Sequence, residues 1–268
     1  MAAGSITGHR HRPRPARRAI AAAAASVSIV AAGCGTTARD GDVVVMAASS
    51  LTDVIETVFE DHESVTAVIA GSSTLVSQLA AGAEADVLMT ADAATMDRAL
   101  AEGSVRGEPT LIATNSLVLA TATDNPGRVR GLADLARREL LVGLCAGEVP
   151  CGALARQALD EAGIAPSVDT LEPNVRALAA KISLGELDAG LVYVTDARAA
   201  GLATVDAPEL RDHCNGYYIA SVSAEPAPEV QAVIEEFTVG GSTGAKALYA
   251  YGFEGSDIRP VPSCPVPS

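Results

Sequence analysis

The residues best placed to do chemistry stand where the chain turns helical. Ser50 precedes Leu51-Thr52-Asp53, and Ser72 stands just before the helical spacing of Leu75, Val76 and Leu79. Val149-Pro150-Cys151-Gly152 leads into Ala153 to Leu159, and Pro173-Asn174-Val175-Arg176 leads into Leu178 to Leu184. Ser50 and Asp53 form a Ser-x-x-Asp capping box, Ser72 and Asn174 read as caps, and Pro150 sits where a first turn tolerates proline. Every helix start leaves main-chain N–H groups unpaired at the positive end of the helix dipole. Gathered together, such starts hold an anion with no Lys or Arg in contact. Taken singly, each is only a cap.

Other chemistry is poorly supplied. Gly241-Ser242-Thr243-Gly244 is the nearest thing to a nucleophile loop, but it lacks the Gly-x-Ser-x-Gly elbow and reads as the cap of a helix from Ala245. Beyond residue 33 only His62 and His213 remain as histidines, and neither forms a ligand spacing with a cysteine, so no metal site is expected. An exported enzyme and a purely structural lipoprotein remain as rival classes.

The elements that must position these residues alternate. Val43 to Ala48 is an apolar strand ended by Ser49-Ser50, and Leu51, Val54, Ile55, Val58 and Phe59 follow at helical spacing. Strands are expected at Val65 to Ile69, Ala85 to Thr90, Asn115 to Ala120, Leu140 to Leu144, Ala189 to Val194 and Tyr217 to Val222. Helices are expected at Leu75 to Gly82, Ala93 to Leu100, Ala153 to Ala162, Val175 to Leu184, Val230 to Phe237 and Ala245 to Tyr249. Strand–helix alternation implies an α/β fold, a parallel sheet flanked by helices. Ligands of open α/β sheets sit at the C-terminal ends of strands, where Ser50 and Ser72 fall.

The chain has 268 residues, 49% of them hydrophobic, ample for a large core. Its formal charge is -14, and only eight residues are aromatic, none of them Trp. Five of its 19 cations lie before residue 34, where there is no acid, so the remainder carries 14 cations against 33 acids. Nucleic-acid binding needs a basic footprint and stacking platforms, and neither is present. The basic start Arg10 to Arg18, the apolar run Ala19 to Val30 and the small residues up to Cys34 have the order of an export signal. At about 15 residues that run is short of the roughly 20 a membrane-spanning helix needs. Residues 1–33 are therefore expected to be a signal peptide. Ala31-Ala32-Gly33-Cys34 resembles a bacterial lipobox, which implies lipidation of Cys34, a lipid-anchored linker over 34–41 and attachment to the outer face of the cell membrane. Export by the general or the twin-arginine route stays open. The even count Cys145, Cys151, Cys214 and Cys264 in an exported chain implies two disulfides. Of three pairings, Cys145–Cys151 and Cys214–Cys264 are favoured because the first pair is local.

Met46-Ala47-Ala48-Ser49-Ser50-Leu51-Thr52 and Ala70-Gly71-Ser72-Ser73-Thr74-Leu75 resemble the opening motifs of the periplasmic molybdate-binding proteins of ABC importers, the ModA family. Ala85 to Asp92, Asn115-Ser116-Leu117-Val118, Val149-Pro150-Cys151-Gly152, Asn174-Val175-Arg176, Gly190-Leu191-Val192-Tyr193 and Tyr251-Gly252-Phe253 continue the pattern in order over about residues 42 to 254. The resemblance implies a two-lobed type II periplasmic-binding-protein fold with the ligand in the cleft. Lobe 1 would span 42–116, lobe 2 would span 117–217, and 218–268 would return to lobe 1, with crossings near Asn115 to Ala120 and Gly216 to Ala220. It implies that Ser50 and Ser72 donate hydroxyl and backbone hydrogen bonds from one lobe. From the other, Cys151 and Val175 donate backbone N–H groups and Tyr193 its phenol. Cys151 stands where the family usually has Ala, but an amide donor does not depend on its side chain. The ligand implied is molybdate, with tungstate of nearly the same size, held as an oxyanion without a direct protein–metal bond. No cofactor is implied, the partner is an ABC permease, and the protein is a monomer that closes on its ligand. Such a dianion offers acceptors only, so donors alone should surround it. Sulfate or another small anion is the alternative cargo.

Overall fold

The computed structural model describes residues 42–255. The expected signal peptide, Cys34 with its linker, and Cys264 lie outside the described residues.

The chain runs β1 (Val43–Ala48), α1 (Thr52–Phe59), β2 (Val65–Ala70), α2 (Ser72–Ala80), β3 (Val87–Thr90) and α3 (Ala93–Ala101). A long strand, β4 (Thr110–Thr121), carries it into β5 (Val142–Cys145), α4 (Pro150–Glu161), β6 (Val168–Glu172), α5 (Val175–Ser183), β7 (Ala189–Tyr193), α6 (Val194–Ala199) and β8 (Ala203–Val205). It comes back through β9 (Cys214–Ser221) and ends in α7 (Pro228–Thr238) and α8 (Thr243–Tyr251). The apolar runs became strands because β-branched residues fill a pleated, covered surface; β1, β3, β5 and β7 are buried along nearly their whole length.

The strand order is β2-β1-β3-β9-β4-β7-β5-β6, with β8 beside β4. β1 pairs in parallel with β2 and β3, and β5 with β6 and β7. The two parallel groups are joined by antiparallel strands: β9 runs against β3 and β4, and β4 runs against β7 and β8. The sheet is therefore mixed, where parallel pairing throughout was the simplest expectation. One hydrophobic cluster gathers buried residues between Leu117 and Leu210, Leu119, Leu178 and Val192 among them. Two others lie on opposite faces of the remaining strands. One is built on Leu51, Ile55, Tyr217 and Phe237, the other on Leu75, Leu88 and Met96. β4 and β9 are the two strands that pass between these cores, at the positions where crossings were expected.

Three elements escaped the sequence reading. β6 is an edge strand with Val168 and Leu171 exposed, α6 starts directly at the end of β7 with no intervening loop, and β8 has three residues. β4 also begins at Thr110, five residues before the expected start.

Candidate functional site

Ser50 and Ser72 turn out not to be caps. Ser50 lies in a short 3-10 turn, Ser49–Leu51, that feeds α1, and α1 has no side-chain cap. Its hydroxyl lies 2.8 Å from the Tyr217 hydroxyl. The capping box fails because the turn carries the Ser50 hydroxyl inward, away from the α1 N–H groups. Ser72 is the first residue of α2, with Gly71 as its N-cap, and its oxygen accepts a hydrogen bond from Ala91 N–H at 3.0 Å. A serine one residue into a helix no longer reaches its own first-turn donors, so its hydroxyl is free for other partners.

The second group of starts behaves as read. Pro150 occupies the first turn of α4, and Asn174 caps α5 by accepting from Ala177 N–H at 2.9 Å. Among the described residues no protein acceptor takes the N–H of Cys151 or Val175, as befits first-turn donors. Ser242 caps α8 through Ala245 N–H, and the Gly241–Gly244 loop is tied to Glu236 of α7 by the Ser242 hydroxyl and the Thr243 and Gly244 N–H groups.

All five residues named from the sequence meet. Ser50, Ser72, Cys151, Val175 and Tyr193 line one small cavity of about 10 Å³ with Ala48, Ser49, Gly71, Ala91, Val149 and Pro150. Not one lining residue is charged. α2 and the turn after β1 supply one wall, and the starts of α4 and α5 with the end of β7 supply the other. The Tyr193 ring meets Tyr217 edge to face at 6.1 Å, and its hydroxyl accepts from Asn215 Nδ2 at 2.7 Å. Burial, and then the neighbouring Tyr217, push the Tyr193 phenol well above its ordinary range, so it keeps its proton at neutral pH. Tyr217 is pushed up likewise, by burial and then by Asp196.

The walls are clasped together. The Ser73 hydroxyl donates to the Glu148 carbonyl, and Arg176 of α5 forms an ion pair with Asp53 of α1. The Arg176 Nε also lies 2.8 Å from Asp196, which is fully buried. Burial dominates over that cation and raises the Asp196 carboxyl to about 7. A Cβ on Gly71 would stand 2.7 Å from the Pro173 carbonyl oxygen on the opposite wall. The sequence reading missed Tyr217, Asn115, Asn215 and the Asp53–Arg176–Asp196 cluster. Their one signal was polarity inside apolar strands, as in Thr114-Asn115-Ser116 and Asn215-Gly216-Tyr217.

The expected Cys145–Cys151 disulfide is not formed: both are buried free thiols. Cys145 ends β5 and Cys151 sits in the first turn of α4, where its Sγ lies 3.4 Å from the Leu191 carbonyl oxygen. A hydrogen bond with the Cys145 side chain, and then burial, hold the Cys151 thiol well above its usual range. The other expected pairing, Cys214–Cys264, involves a residue outside the described ones. Among the described residues no cluster of three His, Cys, Asp or Glu is placed to hold a metal ion, and no helix is long and apolar enough to cross a membrane.

Two α/β cores linked by a pair of crossing strands, with uncharged donors from both sides facing one cavity, are the architecture of a two-lobed solute-binding protein. The chain belongs to the bacterial extracellular solute-binding proteins, whose family model matches residues 40–254. It is 36% identical over 229 residues to the molybdate-binding protein ModA of Mycobacterium bovis, across 82% of this chain and 87% of that one. To the molybdate-binding protein ModA of Escherichia coli K12 it is 31% identical over 236 residues, across 81% and 90%. Among solved structures, the periplasmic molybdate-binding protein of Azotobacter vinelandii aligns with a TM-score of 0.63 at 16% identity, covering 80% of this chain and all of that one. The sulfate-binding protein SubI of Mycobacterium tuberculosis aligns with a TM-score of 0.65 at 14% identity, covering 82% and 88%. These last two likenesses establish the type II fold.

Proposed function

We propose that this protein captures molybdate, and tungstate with it, outside the cytoplasm and delivers it to an ABC import permease. It is a binding protein of a transport system rather than an enzyme. The observation that carries the reading is the meeting of Ser50, Ser72, Cys151, Val175 and Tyr193 around one uncharged cavity. Two serine hydroxyls, a phenol and first-turn N–H groups are donors suited to a tetrahedral dianion, and charge-assisted bonds offset the ion's dehydration. The protein's own negative charge does not oppose this, because distant charges are screened within about 8–10 Å. Relatives named for molybdate at 36% and 31% identity support the cargo.

The finer points follow the same reading. Residues 1–33 are a signal peptide, Cys34 carries the lipid anchor, and the monomer hinges at β4 and β9. The lobes are 42–116 and 117–217, with the chain after 217 returning to the first; the hydrophobic clusters part near Leu117, which supports the first bound, whereas Tyr217 already packs with the first lobe's core. Mass spectrometry of the membrane fraction tests the anchor, and an unmodified Cys34 would remove it.

Thermal unfolding of the chain from residue 35, with molybdate, tungstate, sulfate and phosphate in turn, tests the cargo. Ligand at about 1,000 times its dissociation constant adds about 4 kcal/mol, or about 8–16 °C for a chain this size. The expected result is a shift of that order with molybdate and tungstate and none with sulfate. A shift with sulfate alone would change the cargo and keep the site, and no shift with any oxyanion would sink the reading.

A further inference from the structure

Two hydroxyls that face the cavity, those of Ser72 and Tyr193, are approached from behind by a hydrogen-bond donor of the protein. The Ser72 oxygen accepts from Ala91 N–H at 3.0 Å, a main-chain group that can only donate. The Tyr193 oxygen accepts from Asn215 Nδ2 at 2.7 Å. The Asn215 amide cannot be reversed, because the same Nδ2 lies 3.3 Å from the Pro150 carbonyl oxygen, which can only accept. The Ser50 hydroxyl shares a 2.8 Å hydrogen bond with the Tyr217 hydroxyl in which either oxygen can donate, so its proton is not directed in the same way.

We infer that Asn215 fixes the proton direction of the Tyr193 phenol, so that this hydroxyl must donate to the ligand and cannot accept from it. This rests on the oxyanion reading above and deepens it, because it sets the protonation state of the cargo. A hydroxyl is by nature both donor and acceptor, so the bare list Ser, Ser, Tyr does not exclude a ligand that carries a proton. With the Tyr193 oxygen engaged by Asn215 and its proton aimed into the cavity, an acidic O–H on the ligand set against the phenol meets a donor and is left unpaired there, a cost that fully deprotonated ions do not meet. Asn215 is in this sense a positioning residue for specificity. It acts through Tyr193 and does not itself line the cavity.

The test compares two dianions of similar size, molybdate and hydrogen arsenate, by calorimetric titration of the full chain in detergent at mildly alkaline pH. The two carry equal charge and differ in whether one oxygen holds a proton, so any through-space charge effect cancels in the ratio of their affinities. Wild type is expected to prefer molybdate. Asn215→Asp places an acceptor behind Tyr193, turns the phenol proton away from the cavity and narrows that preference on the order of tenfold or more, the factor one charged hydrogen bond carries. Asn215→Leu removes the bias without reversing it and gives an intermediate ratio. Should neither Asn215 variant fold, Tyr193→Phe gives the same readout through a greater loss for molybdate than for arsenate. If both affinities fall in proportion in these variants, Asn215 is merely structural and the inference is overturned. A wild type that binds both ions equally also overturns it and leaves the oxyanion reading standing. A wild type that binds neither overturns both.

Discussion

The Ser72 oxygen is tied to Ala91 N–H inside the protein while its proton is left for the cavity, so replacing it touches two ledgers at once. Ser72→Ala is expected to weaken molybdate binding by about 10- to 150-fold, and also to lower ligand-free stability by about 1–3 kcal/mol, because a buried N–H is left unpaired. Ser50→Ala should cost similar affinity but less stability, since Tyr217 keeps its contact with Asn115. Cys151→Ala should bind within a few-fold of wild type, because the donor at that position is its main-chain N–H. Titration calorimetry paired with ligand-free melting separates the three, and a large affinity loss in Cys151→Ala would overturn the amide assignment. Asp196 sets a second expectation. Its folded carboxyl near 7 lies above the ordinary 3.8, so between about pH 4 and pH 7 the folded chain holds a proton that the unfolded chain has released. The stability from this group is therefore fully present below about pH 4 and is lost as pH rises through about 7, with a slope of at most about 1.4 kcal/mol per unit. Asp196→Asn should flatten the melting temperature against pH across that window; an unchanged profile would place the titration elsewhere.

At the scale of elements, Gly71 sets how closely the start of α2 approaches the turn into α5. Its backbone is extended with φ -63°, a conformation alanine also adopts, so Gly71→Ala costs little where the walls stand apart. With the walls together, the added methyl meets the Pro173 carbonyl at 2.7 Å, closer than contact allows. The variant should keep its ligand-free melting temperature and lose affinity by about tenfold or more, checked by the same two measurements. Equal affinity would show that the approach is not needed for binding. Most elements could be read from the sequence because their apolar runs are buried and bounded by turn residues: β1, β3 and β7 declare themselves this way, as do Pro150 and Asn174. β6 could not, because an edge strand with exposed Val168 and Leu171 lacks the burial that makes a run conspicuous. The five cavity residues were legible only through family resemblance. Ser50 and Ser72 look locally like caps, and nothing within a few residues of either reveals that its partner is Tyr217 or Ala91. The buried Cys145–Cys151 pair misled because an even cysteine count says nothing of what geometry holds apart.

For the whole molecule, Arg176 is the tie between the lobes, with Asp53 on one side and buried Asp196 on the other. Closure on ligand is expected to appear in solution as a smaller radius of gyration with molybdate, measured by X-ray scattering. Arg176→Ala should blunt that compaction; without the cation the Asp196 carboxyl is pushed up further, so Asp196 keeps its proton through neutral pH. A radius unchanged by molybdate in the wild type would count against hinge closure.

The placing of β9 between β3 and β4 reaches further than the cleft. β9 is made more than a hundred residues after β3, yet the first lobe's sheet has a gap until it arrives. Closing so long a loop is an entropic toll paid before any pairing is gained, which slows folding relative to a chain of local contacts. A ribosome that has synthesised only the first two hundred residues therefore holds a chain that cannot finish either lobe's shared seam. Lateness of this kind leaves the first lobe open until most of the chain has been made, since the strand that completes it is among the last to be synthesised.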